Sequence, residues 1–296
     1  MNTSRRQFLK TTGIALAGST LPAFAEKTDE KKPRFQISLA QWSLHRTLRA
    51  KKLTNLDFPK YTKDKFGINA VEYVNAFFKD KAKDMAYLKD LKSRTDGEGI
   101  RNVLIMCDGE GKLGAKSEQG RNKTVDNHKK WLEAAKFLGC HSIRVNAGGP
   151  GGREELAKQV IDGLTKLSTF AKGMGLNVIV ENHGGLSSDG AWLSGVLKTV
   201  AMPNCGSLPD FGNFHQYDRY QGMKDLMPYA KGVSAKSHEF NETGEEIRSD
   251  YTKIMKIVAA SEYSGYVGVE YEGKKLSEDD GIIATKKLLE KVFKQI

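Results

Sequence analysis

The sequence predicts an α/β protein built as a single (β/α)8 barrel, the TIM-barrel architecture, and three observations carry that prediction. From Arg34 to the C-terminus, eight short β-rich runs alternate strictly with eight longer amphipathic ones. No GxGxxG phosphate loop follows the first run, which weakens the rival reading, an open doubly wound sheet. Glu181, Asp210, His238 and Glu270 succeed one another at gaps of 29, 28 and 32 residues, about the length of one strand-plus-helix unit. Each stands at or just past the end of a strand candidate, which is where such a barrel keeps its chemistry.

The strand candidates are residues 35–40, 70–74, 101–106, 142–146, 176–181, 205–210, 232–237 and 265–270. The first, third and fifth (FQISLA, RNVLIM, LNVIVE) are dense in apolar and β-branched residues, as strands buried on both faces are. Helix candidates lie at 53–66, 81–97, 121–138, 153–173, 189–201, 219–230, 246–261 and 278–294. The last shows a stripe of Ile282, Ile283, Thr285, Leu288, Leu289, Val292 and Phe293 at the helical period. Glycines such as Gly67, Gly139 and Gly175 mark the exits from helices into strands.

Residues 1–25 read as an export signal. The run Ser4-Arg5-Arg6-Gln7-Phe8-Leu9-Lys10 closely resembles the twin-arginine (Tat) consensus, and an apolar-to-small run ends at Ala23-Phe24-Ala25. The expectation is cleavage before Glu26 and a periplasmic or otherwise exported protein. That run is too short and too rich in Gly, Ser and Thr for a stable membrane span. Residues 26–33 read as a disordered leader, leaving 34–296 as one catalytic barrel domain. The signal carries three cations and no acid, so the formal charge falls from +11 to +8 once it is removed. The excess is scattered (Lys79, Lys81, Lys83; Lys129, Lys130; Lys286, Lys287), which argues against a nucleic-acid surface. A homo-oligomer is compatible with the chain. Cys107, Cys140 and Cys205 are odd in number and lack CxxC spacing, so they read as small core residues, not a disulfide framework.

Two Glu, one Asp and one His form a mixed oxygen and nitrogen set that suits one divalent ion: Mn, Mg, Co or Zn. Glu181 directly follows four apolar residues, where an unpaired carboxylate would be costly unless it faces the barrel mouth. Asp210 sits between Pro209 and Gly212 at a tight strand exit, a place that also suits an Asx turn. Ser234, Lys236 and His238 alternate onto one strand face. Glu270 ends an apolar run and is preferred over Glu272 for that reason. Candidate substrate contacts are Trp42, His45, Glu72, Asp108, Arg144, Asn146, His183, His215 and Lys236, all at or near strand ends. Trp42, Phe77, Trp192, Phe211 and Phe214 could offer faces for a sugar to stack on.

At AVEYV, SIRVN, VIVENHGG, LPDFGN, VSAKSHEF and VGVEYEG the chain resembles the xylose-isomerase-like (β/α)8 superfamily, which includes sugar-phosphate isomerases and epimerases. The resemblance runs from Gln36 to the C-terminus and, with the Tat signal, points to an exported branch. It implies that Glu181, Asp210, His238 and Glu270 hold one divalent metal and that Glu181 and Glu270 serve as acid and base. One departure stands out: the usual metal histidine precedes the lysine of the seventh strand by two residues, a place held here by Ser234. The ligands could therefore be Glu181, Asp210 and Glu270 alone, with His238 or Lys236 touching substrate.

The function expected from this resemblance is a metal-dependent sugar isomerase or epimerase that removes a proton beside a carbonyl and passes through an enediolate. The substrate would be a small carbohydrate. The alternatives are a 3-keto-glycoside lyase or hydrolase sharing the same first step, and a non-catalytic sugar-binding barrel. A DNA-repair endonuclease of the superfamily would need more metal ions and many more histidines than the six present.

Overall fold

In the computed structural model, residues 33–296 are described; the stretch expected to be an export signal, and all but the last residue of the expected leader, lie outside them. Eight strands, β1 (Phe35–Ala40), β2 (Ala70–Val74), β3 (Arg101–Met106), β4 (Ser142–Val145), β5 (Asn177–Glu181), β6 (Cys205–Leu208), β7 (Val233–Ser237) and β8 (Gly265–Tyr271), pair in parallel. Their order is β6-β5-β4-β3-β2-β1-β8-β7. Isolated parallel bridges, Ser207 to Ala230 and Asp210 to Ser234, join the remaining edges of β6 and β7. At the second bridge the Ser234 amide donates to the Pro209 carbonyl at 2.9 Å and the Phe211 amide to the Ser234 carbonyl at 3.0 Å. This seam is how Asp210, two residues beyond β6, comes to lie beside Ser234.

The helices are α1 (His45–Arg49), α2 (Phe58–Phe66), α3 (Met85–Gly97), α4 (Glu118–Leu138), α5 (Arg153–Gly173), α6 (Gly190–Val200), α7 (Arg219–Leu226), α8 (Tyr251–Ala260) and α9 (Glu278–Phe293). Side-chain caps set most of their starts. Asp84, Ser117, Asp189, Asp218, Asp250 and Ser277 each accept an amide of the first turn. Helix α8 begins at Tyr251, not at residue 246 where the seventh helix candidate of the sequence starts. The Glu246 carboxylate instead accepts the amides of His238, Glu239, Arg248 and Ser249 and ties down the loop after β7.

Alternation along the strands divides the apolar residues between two cores. One lies between sheet and helices and includes Leu39, Tyr73, Ile105, Trp131, Val180 and Leu289. The other fills part of the barrel interior with Ala40, Ala70, Val74, Val103, Leu104, Met106, Ile179 and Leu208. The rest of the interior is polar yet buried: Ser38, Glu72, Arg144, Glu181, Ser234, Lys236 and Glu270. Buried polar groups need partners, so this polar sector is where the chemistry is concentrated. All three cysteines are buried and free. Among the described residues no helix is long and apolar enough to cross a membrane.

Candidate functional site

Glu181 at the end of β5, Asp210 just past β6 and Glu270 in β8 each present a carboxylate oxygen to one point, all within 4.8 Å of one another and all buried. Local bonding aims them. The Asp210 amide donates to Asn182 Oδ1 at 2.7 Å, and Asn182 Nδ2 donates back to the Asp210 carbonyl at 3.0 Å. Asp210 Oδ1 accepts the amides of Gly212 and Asn213 at 2.8 and 2.9 Å. That Asx turn leaves Oδ2 for the interior, where Ser234 Oγ lies 2.8 Å away. The same hydroxyl is 3.0 Å from Glu270 Oε2. A hydroxyl has one proton to give, so one of these two acidic oxygens faces its lone pair unless it is itself protonated.

Two cations serve the cluster. Lys236 Nζ donates to Glu270 Oε1 and to Glu272 Oε1, each at 2.8 Å, and stands 3.9 Å from Asp210 Oδ2. Arg144 Nε lies 2.9 Å from Glu181 Oε2, but the N–H is not aligned with it, and neither atom has a hydrogen-bond partner. The Arg144 Nη1 group donates instead to Asp108 Oδ1 at 2.7 Å, an oxygen that also accepts from Asn146 Nδ2 at 2.7 Å. Glu181 Oε1 accepts from Asn213 Nδ2 at 3.0 Å.

A fourth buried carboxyl, Glu72 of β2, lies among these charges. Its Oε1 accepts from Ser38 Oγ at 2.5 Å and its Oε2 has no partner. Gly268 makes room for it: a Cβ there would fall 2.6 Å from Oε1. Burial pushes Glu72 up to about 7; Ser38 opposes the shift, while Glu270 and Glu181 add to it. Burial likewise raises Glu181 against the pull of Arg144, and raises Asp210 well above the carboxylate range against the pull of Lys236. Burial would raise Glu270 too, but Lys236 outweighs it and holds that carboxylate at about 2.

Four buried carboxyls thus share two buried cations, Glu181 Oε2 is an orphaned acceptor, and Ser234 faces two acidic oxygens. A divalent cation fits this donor set, which is all oxygen and suits hard ions such as Mg²⁺ or Mn²⁺. Glu181, Asp210 and Glu270 would hold it, with Ser234 beside them. The fourth ligand expected from the spacing, His238, does not share this point. It follows the last paired residue of β7, Ser237, and its amide turns to the Glu246 carboxylate at 3.2 Å, so the alternation of Ser234 and Lys236 no longer aims it inward.

A family model described as xylose isomerase-like TIM barrel matches residues 63–292. The chain belongs to that family. Similar solved structures include a xylose isomerase domain protein from Planctomyces limnophilus (16% identity, 90% of this chain and 99% of that one, TM-score 0.68). The IolI protein with a bound zinc atom aligns at 18% identity over 88% and 98% of the two chains, TM-score 0.71. The 3-keto-D-glucoside 4-epimerase YcjR from E. coli aligns at 15% identity over 88% and 100%, TM-score 0.64. At these identities the likeness speaks for the fold. A search of curated proteins finds no match to this sequence.

The other expected contacts of this xylose-isomerase-like barrel fall at graded distances from the cluster. Arg144, Lys236 and Glu72 belong to its polar core; Asp108 and Asn146 are one hydrogen bond further out. Trp42 and His45 stack at 4.9 Å, with Phe77 6.1 Å from Trp42, and Trp42 and Phe77 pack against the apolar part of the interior. His183 and His215 are exposed on the loops after β5 and β6. Phe214 and His215 line a groove of about 460 Å³ with Gly185, Leu186 and Tyr217. Trp192 and Phe211, expected as stacking faces, are core residues: Trp192 Nε1 donates to the Arg153 carbonyl at 3.0 Å, and Phe211 packs edge-on to Tyr251 at 5.2 Å. Ser38, Asn213 and Gly268 were not singled out by the sequence. The signal for two of them was parity, since Ser38 and Gly268 lie two residues before Ala40 and Glu270 on the same inward face.

Proposed function

We propose that this protein is a divalent-metal-dependent sugar isomerase or epimerase acting by proton transfer beside a carbonyl. The observation that carries the reading is the convergence of Glu181, Asp210 and Glu270 on one buried point, with orphaned Glu181 Oε2 among them. When bound there, a divalent ion would polarise the sugar carbonyl and stabilise the negative charge that develops on it. Glu181 is the better proton acceptor of the pair, because burial raises it and one of its oxygens is free of hydrogen bonds. Glu270, tied to Lys236 and Ser234, would face the opposite side of the sugar and exchange the proton there. Arg144, held by Asp108, would orient Glu181, and Trp42 would close one wall of the mouth.

The neighbour described as a 3-keto-D-glucoside 4-epimerase favours keto-sugar chemistry. A 3-keto-glycoside lyase is the second reading, since expulsion of the aglycone can follow the same proton removal. The Arg5-Arg6 leader supports an exported protein that meets unphosphorylated sugars. The test is incubation of free ketoses and 3-keto-glycosides in D₂O with Mn²⁺, Mg²⁺, Co²⁺ or Zn²⁺. Deuterium uptake at the α-carbon without aglycone loss supports the isomerase or epimerase; aglycone release supports the lyase. Glu181→Gln and Glu270→Gln should each lower turnover by roughly 10²- to 10⁴-fold. Sugar binding without exchange across the panel would refute the catalytic reading and leave a binding barrel.

A further inference from the structure

We infer that Lys236 is a built-in counter-cation, which neutralises the empty carboxylate cluster and is handed from Glu270 to Glu272 when a divalent ion binds. The inference rests on the metal reading above and adds what this chain's own lysine does.

The geometry supplies both stations. Lys236 is 3% exposed, so its ammonium must be satisfied by protein groups. Its Nζ is shared equally, at 2.8 Å each, between Glu270 of the cluster and Glu272, whose side chain is 30% exposed at the barrel rim. Lys236 pairs with Glu270 in the β7–β8 register, and the Glu272 amide donates to the Ser237 carbonyl at 2.9 Å. Glu272 therefore stands one pleat outward on the same face. Nζ is also 3.9 Å from Asp210 Oδ2, so a divalent ion held by Glu181, Asp210 and Glu270 would sit within a few ångströms of a like charge. At that range the repulsion is large compared with thermal energy. The lysine stem is long and flexible, so the ammonium can withdraw outward and keep one of its two ion pairs. Arg144 has no such freedom, because Asp108 holds it on the opposite side.

The test is calorimetric titration of Mn²⁺ into the chelator-stripped protein. Lys236→Met should tighten Mn²⁺ binding by about tenfold or more, because a competing cation is gone. Glu272→Gln should weaken binding by about threefold, the scale of one partly exposed ion pair. In the Lys236→Met background the Glu272→Gln effect should shrink, giving a double-mutant cycle that reports the handover. Crystals of the wild-type protein with and without Mn²⁺ read the same event with no substitution: Nζ should leave Glu270 Oε1 and stay on Glu272 in the loaded form. Unchanged or weaker binding by Lys236→Met, or Nζ still bonded to Glu270 in the Mn²⁺-loaded crystal, would overturn the inference alone. If wild type and variants bind none of Mn²⁺, Mg²⁺ and Zn²⁺, the metal reading falls with it.

Discussion

Glu72→Gln tests whether the polar sector of the barrel carries the electrostatic strain that its geometry implies. Glu72 is 1% exposed, its only hydrogen bond comes from Ser38, and its folded value of about 7 exceeds the ordinary 4.5. The unfolded chain thus gives up this proton near 4.5, while the folded one keeps it to about 7. Stability that Glu72 supports below 4.5 is therefore lost as pH rises through about 7. Raising the group from 4.5 to about 7 corresponds to about 3 kcal/mol. Glutamine keeps the shape and can still accept from Ser38, but cannot ionise. Urea denaturation of the metal-free protein, wild type against Glu72→Gln, at about pH 4 and about pH 8 reads this group together with its coupling to Glu181 and Glu270, because titrations remote from Glu72 cancel in the difference. The variant should gain about 3 kcal/mol relative to wild type between the two pH values. A difference that stays flat with pH would refute the argument and mean that Glu72 is ionised in the fold, or has been rescued by a rearrangement of Arg144.

Gly268→Ala should destabilise the protein by about 1–3 kcal/mol in the same assay, because the new Cβ lies 2.6 and 2.8 Å from the two Glu72 carboxylate oxygens. The loss should largely vanish when Glu72 is also Ala; a full loss in that background would place the strain elsewhere. Ser234→His would put an imidazole between Asp210 and Glu270 and turn an all-oxygen set into a mixed one. Competition between Zn²⁺ and Mn²⁺ should then move toward Zn²⁺ by roughly tenfold or more, and an unchanged ratio would show that position 234 lies outside the ion's reach.

Much of the fold was legible because a parallel barrel repeats a local pattern. All eight strands lie where apolar runs ended by polar residues placed them, and Glu181 and Glu270 were readable as the charged ends of such runs. Helix starts were less so: residue 246 has a helical pattern behind it, but its carboxylate is taken by four backbone amides from both sides of the loop. Asp210 and His238 show the limit of spacing. Both lie beyond the last residue of their strands, and residue counts do not record where a ladder stops. The Asx turn and the bridge to Ser234 carry Asp210 back into the interior. His238 has no such bridge, so the chain leaves the barrel wall there.

The sequence by itself determined the alternation of strand and helix, the inward parity of Ser234, Lys236 and Glu270, and the family to which this barrel belongs, since each is written in neighbouring residues. Strand pairing and closure of the barrel decided the rest. It set Glu72 beside Ser38 and opposite Gly268, placed Arg144 against Glu181, and made Lys236 the shared partner of Glu270 and Glu272. Ser38 and Gly268 are far apart in the chain, and only hydrogen-bonding between β1 and β8 makes them neighbours. The charge balance of a buried site depends on which distant side chains share it and how little water reaches them, and neither quantity exists until the first and last strands meet.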